Sequence, residues 1–135
     1  MNTIQLTKKL VSIPSFVEGS NNEKKLGEYI FKYLSQFSWL TVRKEYINKN
    51  RFNVIAWDKF PTKVLICDHI DTVQIQSGWK TNPFKPTVEN EKIYGLGTSD
   101  SKGNIATLLS AIENVGSSKG LMYLSYVDDG VYPIY

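Results

Sequence analysis

Several features that would narrow the class of this protein are scarce or missing. A single cysteine, Cys67, stands among 135 residues, so no disulfide can form within the chain. The net charge is only +3 and no basic run is present, so the charge pattern does not predict nucleic acid or an anionic membrane as a partner. The opening residues lack the apolar stretch and cleavage site of a signal peptide, and no segment is apolar over the length that spans a bilayer. We therefore expect a cytoplasmic protein.

What the sequence does contain suits one compact domain. Hydrophobic residues make up 41% of the chain. A chain of this length buries roughly two thirds of the surface that its unfolded form exposes, so neither disulfides nor oligomerisation is required for stability in principle. Internal repeats and low-complexity segments are missing from it as well.

Three segments carry apolar side chains at steps of three and four residues, the spacing that predicts amphipathic helices. The first has Asn2 or Thr3 as a cap and ends before Pro14. The second is the clearest, with six apolar side chains on one stripe between residues 26 and 37. The third has Asn104 as a possible cap and ends at Gly116.

Apolar and β-branched runs between these helices predict strands at residues 40–46, 52–57, 63–67, 92–94 and 121–127. The run VLIC within Lys63–Cys67 is typical of a central strand covered on both faces, so we expect a buried Cys67 thiol. The alternation of strands with amphipathic helices predicts an α/β fold, with a three-layer sheet of largely parallel strands flanked by helices.

Polar clusters follow two of these strands and one glycine turn, so a single sheet could bring them to a common rim. His69 and Asp71 lie two apart in an extended segment and point to the same side. The carboxylate could hold one imidazole nitrogen and leave the other for a metal. The alternative is that His69 is a hydrogen-bonded residue at a strand end.

The other two clusters contain only carboxylates. Asp100 lies in a turn with glycines on both sides, where it could bridge two cations or simply begin the next helix. Asp128 and Asp129 could supply a general base and a metal ligand, or form a solvated Asp-Asp-Gly turn. A dinucleotide fingerprint is excluded, because its third glycine would fall at Asp100.

Taken in chain order, these motifs resemble the M20 family of metallopeptidases and amidohydrolases. RFNVIA resembles the family's Arg-x-Asn-Val strand, and CDHIDTV resembles its Gly-His-x-Asp-x-Val motif. The stretch WKTNPFKPTVENEKIYGLGTSDSKG resembles Trp…Pro-Phe-x-Pro…Tyr-Gly-Arg-Gly…Asp-x-Lys-Gly, and LMYLSYVDD falls where the family has a strand ending in Asp-Glu-Glu. The resemblance covers nearly the whole chain.

The resemblance implies a zinc-dependent hydrolase of amide bonds in peptides or N-acyl amino acids, with two zinc ions in the complete site. It implies that His69 is a metal ligand, that Asp71 orients this histidine, and that Asp100 bridges the metals. The family's Glu-Glu pair, general base and metal ligand, corresponds to Asp128 and Asp129, or to Asp129 and Gly130 in the other register. Aspartate is one methylene shorter than glutamate at either position.

Two further departures lie close to the implied site. Leu96 stands where the family has the Arg of Tyr-Gly-Arg-Gly. Asp68 stands where it has the glycine before the metal-binding histidine, and this adds a negative charge.

Family members also continue beyond the matched stretch with another carboxylate ligand, a final histidine ligand and a lid or dimerisation domain. Residues 1–135 therefore resemble a truncated zinc-hydrolase catalytic domain, and with His69 as the only histidine we expect at most partial zinc occupancy. One hypothesis is an amide hydrolase whose activity needs the absent remainder or a second chain that supplies the missing half. The other is a non-catalytic remnant or binding module of the same fold.

Overall fold

The computed structural model describes residues 2–117 and 120–127. Within them the chain forms three helices, α1 (Thr3–Val11), α2 (Lys24–Leu34) and α3 (Gly103–Val115). The strands described are β1 (Thr41–Tyr46), β2 (Phe52–Trp57), β3 (Val64–His69), β4 (Thr87–Glu89), β5 (Lys92–Tyr94) and β6 (Leu121–Tyr126), and an irregular turn spans Thr98–Lys102. None of the helices in this part of the chain is both long and apolar enough to cross a bilayer.

The helix ends follow from local chemistry. The Asn2 side chain accepts a hydrogen bond from the Gln5 amide at 2.9 Å and caps α1, as predicted. Gly116 ends α3 with a positive φ of 65°, which only glycine adopts without strain. The start of α3 differs from the prediction, because the helix begins at Gly103 and Asn104 lies inside it rather than capping it.

The main sheet has the strand order β1-β2-β6-β3, and the α/β class is confirmed. β1 and β2 form an antiparallel hairpin whose turn is held by Asn48, which accepts from the Arg51 amide at 3.0 Å. β2 is also antiparallel to β6, and β3 is parallel to β6. The predicted parallel majority is therefore not found among the described strands. A short hairpin loop can only join antiparallel strands, whereas β3 reaches β6 through the α3 crossover.

The core lies on one face of this sheet. Phe52, Val54 and Ala56 of β2 are buried, as are Leu121 and Tyr123 of β6, and they share one apolar cluster with side chains of all three helices. The opposite face carries the alternate residues of each strand. The described part is thus one sheet with its helices on one face, where three layers were expected, since no described helix joins a second apolar cluster.

β3 occupies an edge of the sheet instead of its centre. Val64 and Leu65 are more than half exposed, and the Cys67 thiol is exposed as well. The predictions of a strand covered on both faces and of a buried thiol are therefore wrong for this part of the chain. The VLIC run predicts an apolar strand, but it does not show whether other strands or helices cover that strand.

A long connection between His69 and α3 carries a two-stranded arm. β4, which the sequence did not predict, pairs antiparallel with the predicted β5 across Asn90 and Glu91, both with positive φ. This two-residue turn has the left-handed conformation that favours tight hairpins. The arm returns the chain to Gly95 and to the turn that carries Asp100.

A buried ion pair fixes the start of α2 against the β1–β2 hairpin. The side chain of Glu23 is fully buried, and the Arg51 guanidinium donates to its Oε1 from Nε at 2.9 Å and also from Nη2. A buried carboxylate is tolerated only when it is paired and hydrogen-bonded. The pair therefore connects two residues that are distant in sequence. Water cannot replace the guanidinium there, because the carboxylate is buried.

We predict that Arg51→Met lowers the free energy of unfolding by about 3 kcal/mol, because it leaves the buried Glu23 carboxylate without its cation. Urea denaturation measures the change. Arg43→Met is the matched control, since Arg43 pairs with Glu45 at an exposed position and its loss should cost less than about 1 kcal/mol. Equal losses in the two variants would contradict the role given to the buried pair.

Candidate metal centre

The candidate site lies at the carboxyl end of β3. His69 is the last residue of the strand and lies beside Tyr126, the last residue of β6. The Ile70 amide donates to the Tyr126 carbonyl at 3.0 Å, so the chain beyond His69 stays attached to the sheet. The imidazole therefore sits on a rigid base at the end of two parallel strands, where open α/β sheets bind ligands.

Two carboxylates contact opposite nitrogens of the His69 ring. Nε2 lies 2.9 Å from Asp100 Oδ1, and Nδ1 lies 3.4 Å from Asp71 Oδ1. The Asp71 side chain is 5% exposed, the His69 side chain 26% and the Asp100 side chain 80%. The ring is thus held on its buried side by Asp71, and its other nitrogen faces an accessible carboxylate.

The surrounding charges decide the protonation of His69. Burial of the imidazole lowers its pKa, but the hydrogen bond to Asp100 and the negative charges of Asp71, Asp100 and Asp68 raise it. The net effect is a His69 pKa above its ordinary value of 6.5. Asp68 also accepts a hydrogen bond from the His69 amide at 2.9 Å, so this departure from the family motif contacts the backbone of the site.

The turn that carries Asp100 is packed too tightly for a side chain at Gly97. Gly97 has φ of 79°, and a Cβ atom there would lie 2.6 Å from Cγ2 of Thr72. Ser101 then ties the turn to the strand, because its hydroxyl donates to the His69 carbonyl at 2.8 Å. These contacts bring Asp100 to the imidazole although the two residues are 31 positions apart.

Lys102 is a residue near the site that the sequence did not single out. Its side chain is 1% exposed, and its ammonium donates to the Ile13 carbonyl at 2.7 Å. Burial lowers the Lys102 pKa to about 8. A lysine in a turn ordinarily points into solvent, and only the Asp-x-Lys-Gly motif marked this position. Lys102 joins the Asp100 turn to the loop that follows α1.

The structure brings together three of the five predicted site residues: His69, Asp71 and Asp100. Asp128 and Asp129 lie outside the described residues. Because Asp71 and Asp100 contact opposite nitrogens, only Nε2 of His69 and the Asp100 carboxylate can face one ion. Within residues 2–117 and 120–127, no group of three or more His, Cys, Asp or Glu side chains is arranged to hold a metal ion.

Comparisons with known proteins give one family match and several relatives. The sequence profile of Peptidase family M20/M25/M40 matches residues 65–124. A succinyl-diaminopimelate desuccinylase from Nautilia profundicola is 34% identical over 90% of this chain and 32% of its own length. An acetylornithine deacetylase from Buchnera aphidicola is 33% identical over 90% of this chain and 34% of its own. The chain spans about a third of the length of these relatives.

Solved structures share the fold. An M20 family metallo-carboxypeptidase from Sulfolobus solfataricus superposes with a TM-score of 0.78 at 23% identity, over 93% of this chain and 31% of that protein. Human carnosine dipeptidase 1 superposes with a TM-score of 0.72 at 19% identity, over 92% of this chain and 31% of that one. The described sheet and helices therefore have the fold of the matched part of these two proteins.

We predict that in metal-free protein the His69 pKa, measured by NMR titration of the imidazole, lies above 6.5. Asp100→Asn should lower it, because the substitution removes one of the negative charges that stabilise the imidazolium. Glu89→Gln, a change of an exposed acid on β4, serves as the control. An unchanged pKa in Asp100→Asn would contradict the contact between Nε2 and this carboxylate.

We predict a second pH effect from Lys102. Its pKa is about 8 in the folded chain and near 10.5 when exposed, so between these values the unfolded chain binds more protons and stability rises with pH. The rise attributable to Lys102 should reach at most about 3 kcal/mol. Urea denaturation of the wild type and of Lys102→Met across this pH range gives this contribution as the difference between their free energies of unfolding. A difference that does not change with pH would show that Lys102 is solvated.

Proposed function

From the match of residues 65–124 to Peptidase family M20/M25/M40 and from the geometry of the rim, we propose that this chain is a member of that family and provides part of the metal site of an amide hydrolase. The observation that carries the proposal is the 2.9 Å approach of His69 Nε2 to the accessible carboxylate of Asp100. A neutral imidazole nitrogen and a carboxylate oxygen are ligands that zinc accepts.

The donor set fits one side of a zinc site. His69 and Asp100 would hold the metal, and the exposure of Asp100 leaves one of its oxygens available for a second ion. The bound metal would lower the pKa of a water molecule and polarise the carbonyl of an amide. With two ligands among the described residues, we expect partial occupancy at most in this chain alone.

Asp71 would act on the reaction through His69. Its carboxylate is buried and lies 3.4 Å from Nδ1. Once a metal replaced the proton that Nε2 shares with Asp100, Asp71 would hold the remaining ring proton on Nδ1. It also stabilises the ring in one orientation. This supports the role of an orienting residue for Asp71.

Asp128 and Asp129 are proposed from the sequence as general base and metal ligand. They follow Val127, and β6 ends next to His69, so the chain leaves the sheet beside the imidazole. A carboxylate there could take a proton from water and return it to the departing amine.

The substrate class is proposed from the relatives. Their names identify enzymes that remove succinyl and acetyl groups from the nitrogen of amino acids, and the fold is shared with a carboxypeptidase and a dipeptidase. All of these reactions hydrolyse an amide bond. We propose a peptide or an N-acyl amino acid as substrate, with a second chain supplying further metal ligands.

A non-catalytic binding module is the second candidate. One observation favours it: the residues described here bring no third ligand to His69 and Asp100. Such a module would retain the sheet and hold metal weakly or not at all. The two candidates differ in whether His69 binds metal.

We predict that zinc binds the purified chain in an isothermal titration and that His69→Ala abolishes the binding, because it removes the nitrogen ligand. Asp100→Asn should weaken binding about tenfold or more, since it removes the anionic ligand. Glu89→Gln should have no effect, because this exposed acid lies outside the site. Circular dichroism confirms that each variant is folded.

Zinc binding that is indifferent to His69→Ala would contradict the proposed site. No binding at all in a folded chain would favour the binding module. Release of succinate from N-succinyl-diaminopimelate, assayed in the presence of zinc, then distinguishes a metal-binding chain that is active alone from one that requires a partner.

A further inference from the structure

A basic cleft lies between the end of α1 and one face of α2. It has a volume of about 450 Å³, which falls in the range of roughly 300–1,000 Å³ that small-molecule sites occupy. Its lining combines three lysines, an aromatic ring and an apolar turn: Lys9, Lys25, Lys32, Tyr29, Ile13 and Pro14. The sequence has no basic run that would mark this cleft, because the lysines come from two helices. Folding therefore gathers positive charge that is dispersed along the chain.

The three lysines of the cleft are not neutralised by carboxylates. Within the part of the chain that the structure describes, the ammonium groups of Lys9, Lys25 and Lys32 form no ion pair. By contrast, the Lys102 ammonium donates to a backbone carbonyl. Like charges around a concave surface repel one another and raise the local positive potential. An anion bound in the cleft would relieve this repulsion.

Glu28 also lines the cleft, but it does not cancel this charge. Its Oε1 lies 2.6 Å from Nζ of Lys44, which belongs to β1 and is not part of the lining. The Glu28 carboxylate is therefore already matched by a cation of its own. The positive charge of the three unpaired lysines remains available to a ligand.

The uncharged wall of the cleft is held in place by contacts within the protein. The Ile13 carbonyl accepts a hydrogen bond from the buried Lys102 ammonium at 2.7 Å, and the ring of Pro14 restricts the backbone at the next position. The Tyr29 ring stacks on Tyr33, with 6.3 Å between the ring centres. A wall that is already ordered loses little conformational entropy when a ligand binds to it.

These features suit a ligand that has both an anionic part and an uncharged organic part. Lys25 and Lys32 lie about 10 Å apart along the axis of α2, so a group with several phosphates can contact more than one lysine. The Lys9 ammonium lies 5.8 Å from the centre of the Tyr29 ring, so a cation also lies beside the uncharged wall. A single inorganic phosphate would fill only a small part of the cleft.

We propose that the cleft between α1 and α2 binds a small organic polyphosphate of about the size of a nucleotide. The phosphates would contact the three lysines, and the organic part would pack against the wall formed by Tyr29, Ile13 and Pro14. A concave site of this size fits a small molecule better than a flat anionic bilayer, and a nucleic acid strand needs cations along a longer path. The site shares no residue with the candidate metal centre, so the proposal does not depend on the proposed function.

The test uses the 135-residue chain, freed of metal with EDTA and dialysed, and ATP without divalent cations as the probe. Without metal, the triphosphate cannot be held through an ion at His69 and Asp100. We expect saturable 1:1 binding in an isothermal titration, with NMR shifts of the Ser12, Lys25 and Tyr29 amides and no comparable shift at His69. Inorganic triphosphate should bind about tenfold or more weakly than ATP because it lacks the organic part, and adenosine should not bind because it lacks the charge.

A double variant, Lys25→Gln with Lys32→Gln, removes two of the three charges, and we expect it to weaken ATP binding about tenfold or more. Lys59→Gln with Lys92→Gln is the matched control, because it lowers the net charge equally at exposed positions outside the cleft. The control should change the affinity by less than about twofold.

A second pair of variants compares neighbouring lysines on α1. Lys9 lines the cleft, whereas Lys8 does not. Lys9→Gln should therefore weaken ATP binding more than Lys8→Gln does. All of these lysines are exposed, so we expect each variant to fold, and circular dichroism checks this.

Three results would overturn the proposal. The first is no saturable binding of ATP, or binding that the Lys25 and Lys32 double variant retains. The second is equally weak binding of phosphate, triphosphate and ATP, which would indicate an adventitious ion only. The third is binding to phosphatidylglycerol vesicles through the same lysines without binding of ATP, which would indicate a membrane surface instead. Zinc binding at His69 is measured separately, so its failure would contradict the proposed function and leave this site intact.

Discussion

The parallel pairing of β3 with β6 is the constraint from which the candidate site follows. Parallel strands require a crossover connection, which here contains the β4–β5 arm and α3. The crossover begins at the carboxyl end of β3 and therefore brings the Asp100 turn back to the residue that ends this strand. His69 and Asp100 meet at 2.9 Å because the topology returns the chain to the same rim. In an antiparallel arrangement a short turn would join the two strands. The chain would then not need the crossover that carries Asp100.

Polar groups buried close to the rim hold this geometry in place. The Ser101 hydroxyl binds the His69 carbonyl, and the Lys102 ammonium binds the Ile13 carbonyl. Both contacts join segments that are far apart in sequence, and both are removed from water, so losing either leaves a polar group without compensation. The turn that carries Asp100 is consequently connected both to β3 and to the loop after α1. An exposed carboxylate is thus presented on a rigid support, which is the usual requirement for a metal ligand.

Much of the fold could be predicted from the sequence, because local signals determine it. The spacing of apolar residues located all three helices, the Asn2 cap is a local hydrogen bond, and apolar and β-branched runs located β2 and β6. The environment of β3 could not be predicted, since an apolar run is the same whether its neighbours are present or absent. The pairing of His69 with Asp100 followed from strand ends and glycine turns, whereas the burial of Lys102 depends on a carbonyl 89 positions away. No periodicity carries that information. β4 was missed because three exposed residues show no pattern.

The same strand pairing has a consequence for the order of events during synthesis. β1 and β2 are neighbours in the chain and can form their hairpin as soon as they emerge, whereas β3 must await a partner that lies more than fifty residues later. Until β6 has left the ribosome, β3 lacks the one described strand that pairs with it, and its apolar side chains are prone to aggregation. The rim that carries His69 and Asp100 is therefore complete only when β6 has paired with β3.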